Sequence, residues 1–408
     1  MIGAQALSGV RVLDLTRILA GPTCTQILGD LGADIIKIER PGVGDDTRKW
    51  GPPYVVGKDG EPTAESAYYL CANRNKRSVA IDFARPEGQA LVRRLLARCD
   101  VLVENFKVGD LARYDLGYEQ LRDGFPGLVY CSITGFGQTG PYALRAGYDY
   151  LAQGLGGIMS ITGEPDGEPM KVGVGIADVM CGMYATVAIL AALRHRDATG
   201  EGQHIDLALL DTQVAWLINE GTNYLLSGKV PRRLGNEHPN IVPYKVFESR
   251  DGYVILAVGN DGQFQKWCRF AGAEDLAADP RFATNSLRVE HRHELYALMP
   301  TYMRAKTTQE WVDGLAALGV PCSPVNTIDQ VFENPQVRAR GMRVDVPHAS
   351  AASGSVPLIA SPIRMSRTPP AYRRSPPTLG EHTDEVLEEL LELSDVERQR
   401  LRAAGVIG

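Results

Sequence analysis

Asp178 stands where a glycine-rich, apolar stretch turns into a long apolar helix, in the run Val174-Gly175-Ile176-Ala177-Asp178-Val179-Met180-Cys181-Gly182-Met183-Tyr184. From Val179 to Arg196 the chain is nearly uncharged, with small residues at Gly182, Ala185, Ala188 and Ala191. That pattern predicts a buried, closely packed helix. The free amides and positive dipole end at a helix start favour an ionised carboxylate, so Asp178 is expected to be deprotonated and aimed past the helix end. A carboxylate so placed either caps the helix or does chemistry on what lies beyond it, and spacing alone leaves both open.

The elements that must position Asp178 are those of a parallel α/β sheet. Residues 10–16, 34–39, 78–83, 101–105 and 128–133 read as strands, with helix patterns at 22–31 and 86–99 between them. The first strand-to-helix turn, Asp14 to Pro22, carries no GxGxxG. A Rossmann-like topology is therefore expected without the dinucleotide fingerprint, which counts against NAD or FAD. After the Asp178 helix come a strand at 203–208 and a helix at 211–226. Residues 227–243 are rich in Gly, Pro, Asn and Arg and read as a linker or mobile loop. Residues 244–326 read as a smaller α+β domain with a strand at 253–258, 348–379 as a second linker-like stretch, and 383–406 as a charged helical tail. The expected division is 1–218 for a large α/β domain, 219–330 for the small domain with its linker, and 331–408 for a segment returning to the large domain.

At 408 residues the chain exceeds what one core usually serves. Its 44% hydrophobic and 23% charged residues are those of an ordinary globular protein, and a net charge of -6 without a basic run argues against a nucleic-acid partner. Seven scattered cysteines without CxxC or Cys/His clusters predict reduced thiols and no metal site. The start lacks a leader pattern, and Arg194, His195 and Arg196 bound the one long apolar helix, so a cytoplasmic protein with no membrane partner is expected.

Several strings, in order along nearly the whole chain, carry a resemblance: Val12-Leu13-Asp14-Leu15 with Ala20-Gly21-Pro22, Ile38-Glu39-Arg40-Pro41-Gly42, Asn75-Lys76-Arg77-Ser78, Val103-Glu104-Asn105-Phe106, Ser132-Ile133-Thr134-Gly135-Phe136-Gly137, the Asp178 run, and Leu379-Gly380-Glu381-His382-Thr383. Together they resemble the class III CoA-transferases, the formyl-CoA and carnitine CoA-transferase family. Gly44-Asp45-Asp46-Thr47-Arg48, Trp50-Gly51-Pro52-Pro53, Asn73-Arg74-Asn75-Lys76, Arg145-Ala146-Gly147-Tyr148-Asp149 and Ile241-Val242-Pro243-Tyr244 are similar to the branch that acts on succinyl-CoA and glutarate.

The resemblance implies a CoA-transferase with Asp178 as nucleophile, passing through an aspartyl mixed anhydride and an aspartyl-CoA thioester. It implies a CoA thioester as substrate with no tightly bound cofactor, a small dicarboxylic acid as acceptor, and an interlocked homodimer. Arg40, Lys76, Asn105, Phe106 and Arg113 match the family's CoA contacts; the alternative for Arg40 is pairing with Glu39 or Asp46. Where formyl-CoA transferases carry Lys in the strand-end motif, this chain has Thr134. The family's glycine-rich lid corresponds to Gly235-Asn236-Glu237-His238-Pro239-Asn240, with a single glycine and with His238 as a candidate substrate contact. A diacid needs a fork-shaped cation near Asp178, and Arg17, Arg74 and Arg145 are the candidates. Two rivals remain: an α-methylacyl-CoA racemase, weakened because Tyr148 replaces the histidine such racemases use, and a noncatalytic CoA-binding subunit.

Overall fold

The computed structural model describes residues 5–408. Six short strands form one sheet: β1 Arg11–Asp14, β2 Asp34–Glu39, β3 Lys76–Ala80, β4 Val101–Glu104, β5 Val129–Thr134 and β6 Gln203–Ala208. Their spatial order is 3-2-1-4-5-6 and every neighbouring pair is parallel. This is the order of the doubly wound Rossmann sheet, whose ligands collect above the C-terminal ends of the strands where the winding reverses, here between β1 and β4.

Alternation along the strands feeds two cores. Leu13, Ile36, Val79 and Leu102 face helix α2 (Pro86–Leu96) and the C-terminal Val386, Leu387 and Leu401. Val12, Ile35, Val101 and Val129 face helices α1 (Ala20–Asp30) and α3 (Ile176–Thr199) through Cys24, Leu28, Cys181, Ala185 and Ile189. The small residues of α3 are there for close approach. A Cβ on Gly182 would lie 2.5 Å from the Ala20 carbonyl oxygen, so the two helix starts meet with nothing between them.

At 24 residues α3 is longer than the sequence predicts, and by length and composition alone it could cross a membrane. Half of its most apolar window is buried, as in the core helix of a globular fold.

The strand expected at 78–83 begins instead at Lys76, because Lys76 and Arg77 are buried strand residues. Residues 343–347 and 355–359 pair as an antiparallel hairpin where a linker-like stretch was expected to begin. The tail forms helices Thr383–Leu391 and Asp395–Ala403, and Ala80 N donates to Thr383 Oγ1 while its carbonyl accepts from Gly408 N.

The chain divides into two compact units, 1–158 with 171–226 and 338–408, and 159–170 with 227–337. The second holds an antiparallel sheet of Tyr244–Glu248, Tyr253–Ala257 and Cys322–Pro324 over a core containing Phe264, Trp267, Met299 and Trp311. Residues 159–170 group with it although the sequence assigns them to the first domain.

Candidate active site

Two cavities open beyond the C-terminal ends of β1, β2, β4 and β5, sharing Arg17, Phe106 and Asp110 as walls. The smaller, about 200 Å³, contains Asp178, Ile18, Asn105, Arg145 and Tyr148; the larger, about 490 Å³, contains Arg40, Phe83, Arg113 and Tyr114.

Asp178 does not cap its helix. Asp149 does, its Oδ1 accepting from Ala177 N at 2.8 Å and from Asp178 N at 3.4 Å. Gln153 holds Asp149 through Nε2 at 2.7 Å and accepts from Val172 N at 2.9 Å, which ties the segment ahead of α3 to the same group. Among the described residues the Asp178 carboxylate accepts no hydrogen bond, so the capping alternative falls away. The expected ionised state needs correction as well. Burial first, and then the negative charge of Asp149, which is bonded to the first turn of α3 from a separate helix, push Asp178 up to about 7.

The turn from β1 to α1 forms the opposite wall. Ile18 has φ +71°, a left-handed conformation that a β-branched residue adopts only under constraint. The constraint is a buried ion pair: Ile18 N donates to Asp45 at 3.2 Å, and Lys37 Nζ donates to Asp45 Oδ2 at 3.0 Å and to the Thr16 carbonyl at 2.7 Å. Burial opposes both charges, yet their mutual attraction leaves Lys37 raised and Asp45 lowered. Asn105 clamps the same turn from β4, accepting from Arg17 N at 2.9 Å and donating to Arg17 O at 2.7 Å.

Two expected site residues belong to the scaffold instead. Lys76 is fully buried 3.2 Å from Asp14, with further bonds to Asn73 and the Pro22 carbonyl, so it has no access to a CoA phosphate. Burial pulls Lys76 down to about 8, and it remains charged at neutral pH; burial works against Asp14 too, but Lys76, Lys37 and two threonine hydroxyls hold Asp14 at about 2. Arg74 is buried in a two-pronged pair with Asp30, Nε at 2.9 Å and Nη2 at 2.6 Å, and its Nη1 donates to the Ile359 carbonyl. It cannot also hold a diacid.

Arg17, Arg40, Asn105, Phe106, Arg113 and Arg145 lie at the cavities, and the expected lid residues do not. Arg40 is exposed and pairs with neither Glu39, which binds Arg48 at 2.7 Å, nor Asp46, which binds Arg17 at 3.0 Å. Arg113 pairs with Asp110 at 2.6 Å and stays largely exposed. Phe106 packs edge-on to Phe83 and lies 5.3 Å beneath the Arg17 guanidinium. Arg145 lies 3.8 Å over the Tyr142 ring. Gly235, Asn236 and His238 belong to the second unit, where Gly235 N donates to Gly163 O and His238 Nδ1 accepts from Asn240 N at 3.1 Å.

Asp149 and the Lys37–Asp45 pair are the parts sequence reasoning missed. The string Gly147-Tyr148-Asp149 was in view, but no spacing rule links an acid to a helix start so many residues downstream. Lys37, alternating with isoleucines in a strand, reads as solvent-facing, and only the sheet's position buries it.

A family model, CoA-transferase family III, matches residues 7–383. The chain belongs to that family. This family III transferase is 54% identical to the succinate–glutarate CoA-transferase of Agrobacterium fabrum over 94% of its length and 95% of the relative's. It is 42% identical to human succinyl-CoA:glutarate CoA-transferase, over 100% of the chain and 91% of the human protein. Among solved structures it resembles a CAIB/BAIF family protein from Brucella suis, at 50% identity and a TM-score of 0.84 over 95% of this chain and 99% of that one.

Proposed function

We propose that the transferase moves CoA from succinyl-CoA to glutarate or a similar small dicarboxylate, with Asp178 as the covalent relay. The substrates are those named for the Agrobacterium and human relatives. The observation that carries the mechanism is a carboxylate without a hydrogen-bond partner, at a helix start, in a cavity whose wall continues into an arginine-bearing one. The Asp178 oxygen attacks the donor's thioester carbonyl, forming a mixed anhydride and expelling CoA thiolate. The thiolate attacks the aspartyl carbonyl, giving an aspartyl-CoA thioester and releasing the donor's acid. The acceptor carboxylate then repeats both steps in reverse. No proton is gained or lost over the cycle, and no step needs water. Anhydrides hydrolyse, so exclusion of solvent is part of the chemistry.

In this reading the nucleotide end of CoA lies in the larger cavity, its phosphates facing Arg40 and Arg113, while Phe106 and Arg17 border the passage to Asp178. A homodimer is part of the proposal. Met183, Tyr184 and Val187 on α3, and Leu225 and Leu226 after it, are exposed apolar residues of the first unit whose burial against a second copy would remove them from water. The test is a panel of mono- and dicarboxylic acids incubated with succinyl-CoA, read by mass spectrometry of the new thioesters. Glutaryl-CoA among the main products supports the reading; absence of any new thioester ends it.

A further inference from the structure

We infer that Arg145 grips the distal carboxylate of the diacid and so sets the preference for dicarboxylates over monocarboxylates, an inference that rests on the transferase reading above. Three cations line the cavity of Asp178: Arg17, Lys107 and Arg145. Arg17 is committed elsewhere. Its guanidinium pairs with Asp46, its backbone is clamped by Asn105, and it forms part of the larger cavity as well. Lys107 is a single-point ammonium on the loop after β4, and it also borders a separate cavity containing Glu104, Ser132 and His204. Arg145 has no carboxylate partner among the described residues. Its guanidinium carbon lies 3.8 Å from the centre of the Tyr142 ring, a cation–π contact that steadies the side chain without engaging a carboxylate.

The backbone around Arg145 is fixed relative to Asp178 from two directions. Gly135, just past β5, and Gly147 touch back to back: a Cβ built on Gly135 would lie 2.4 Å from the Gly147 Cα, and one on Gly147 would lie 2.2 Å from the Gly135 Cα. Only a pair of glycines permits that approach. Shortly after, Asp149 bonds to the first turn of α3, the turn that carries Asp178. The segment 145–149 thus places a fork-shaped cation and the nucleophile in one cavity at a set separation. A diacid fills both ends; a monoacid leaves the guanidinium facing nothing.

The test is a competition between glutarate and valerate, which have the same chain length, for the aspartyl-CoA formed from succinyl-CoA. Because both acids draw on one intermediate, the ratio of glutaryl-CoA to valeryl-CoA is independent of how the donor binds. Arg145→Met is expected to lower that ratio by at least about 100-fold, with valerate exchange persisting, and Arg145→Lys to recover part of it. Arg17→Met and Lys107→Met are expected to change it less than about 3-fold. An unchanged ratio in Arg145→Met, a variant that forms neither thioester, or an equal fall in Lys107→Met or Arg17→Met would overturn the assignment. Absence of exchange in the unaltered enzyme would instead remove the transferase reading itself.

Discussion

The turn from β1 into α1 and the turn into α3 face the same cavity, yet they treat charge in opposite ways. In the first, Asp14, Lys37, Asp45 and Lys76 are fully buried, and each is matched to an opposite charge and to backbone or hydroxyl groups. In the second, Asp178 sits half-buried with no partner, while a neighbouring acid takes the capping role it would otherwise fill. Buried charges that satisfy one another fix geometry, here the left-handed Ile18. A charge left unmatched raises the energy of the free site and can be relieved by a reaction partner. The contrast separates scaffold from chemistry more sharply than residue type does.

The largest expected effect comes from Asp178→Asn. Turnover should fall by at least about 10³-fold, since the proposed nucleophile is gone. Stability should move the other way at high pH. Between the ordinary carboxylate value and about 7 the folded protein keeps a proton on Asp178 that the unfolded chain has released, so stability declines as pH rises through that window. Urea unfolding of Asp178→Asn should accordingly show a gain of roughly 1–3 kcal/mol at pH 8 and none at pH 4. A loss at pH 8 would mean that the carboxylate has a partner after all.

Arg74→Ala is the reverse case. Removing one member of the buried Arg74–Asp30 pair should cost about 3–5 kcal/mol in the same unfolding experiment. The kcat of the protein that remains folded should stay within about 3-fold of the unaltered enzyme. A specific loss of diacid exchange without a loss of stability would return Arg74 to the site.

Asp149→Asn tests the coupling between the two acids. It keeps an oxygen for the Ala177 amide but removes the charge, so the acidic limb of kcat/KM, expected near pH 7, should move to lower pH by up to about one unit. Burial is the larger cause of the raised value, which is why the shift is partial. A limb that stays in place would show that Asp149 only positions the helix. The smallest effect is expected from His238→Ala: with its Nδ1 engaged by Asn240 N, its removal should change kcat less than about 3-fold. A larger drop in kcat would point to the 235–240 loop covering the site.

The parallel sheet was legible because its strands are short β-branched runs separated by helix patterns, and Asp178 stood out because an acid at the head of an uncharged helix is conspicuous. What could not be read is which charges are inside. Lys76, Arg77, Arg74 and Lys37 look like solvated cations in a string of letters, and their burial depends on acids such as Asp14, Asp30, Asp34 and Asp45 that approach only through strand pairing. The same limit hid Asp149, whose contact with Ala177 spans a loop and a helix. Arg17 and Arg145 looked equivalent as loop arginines, and each lies over an aromatic ring; the Asp46 pairing of Arg17 tells them apart.

The covalent relay can be caught directly. When the enzyme is mixed with succinyl-CoA and no acceptor, then quenched and digested, mass spectrometry should find CoA joined as a thioester to the peptide containing Asp178, and hydroxylamine should convert that residue to a hydroxamate. Turnover proceeding with no such adduct, or an adduct persisting in Asp178→Asn, would contradict the account.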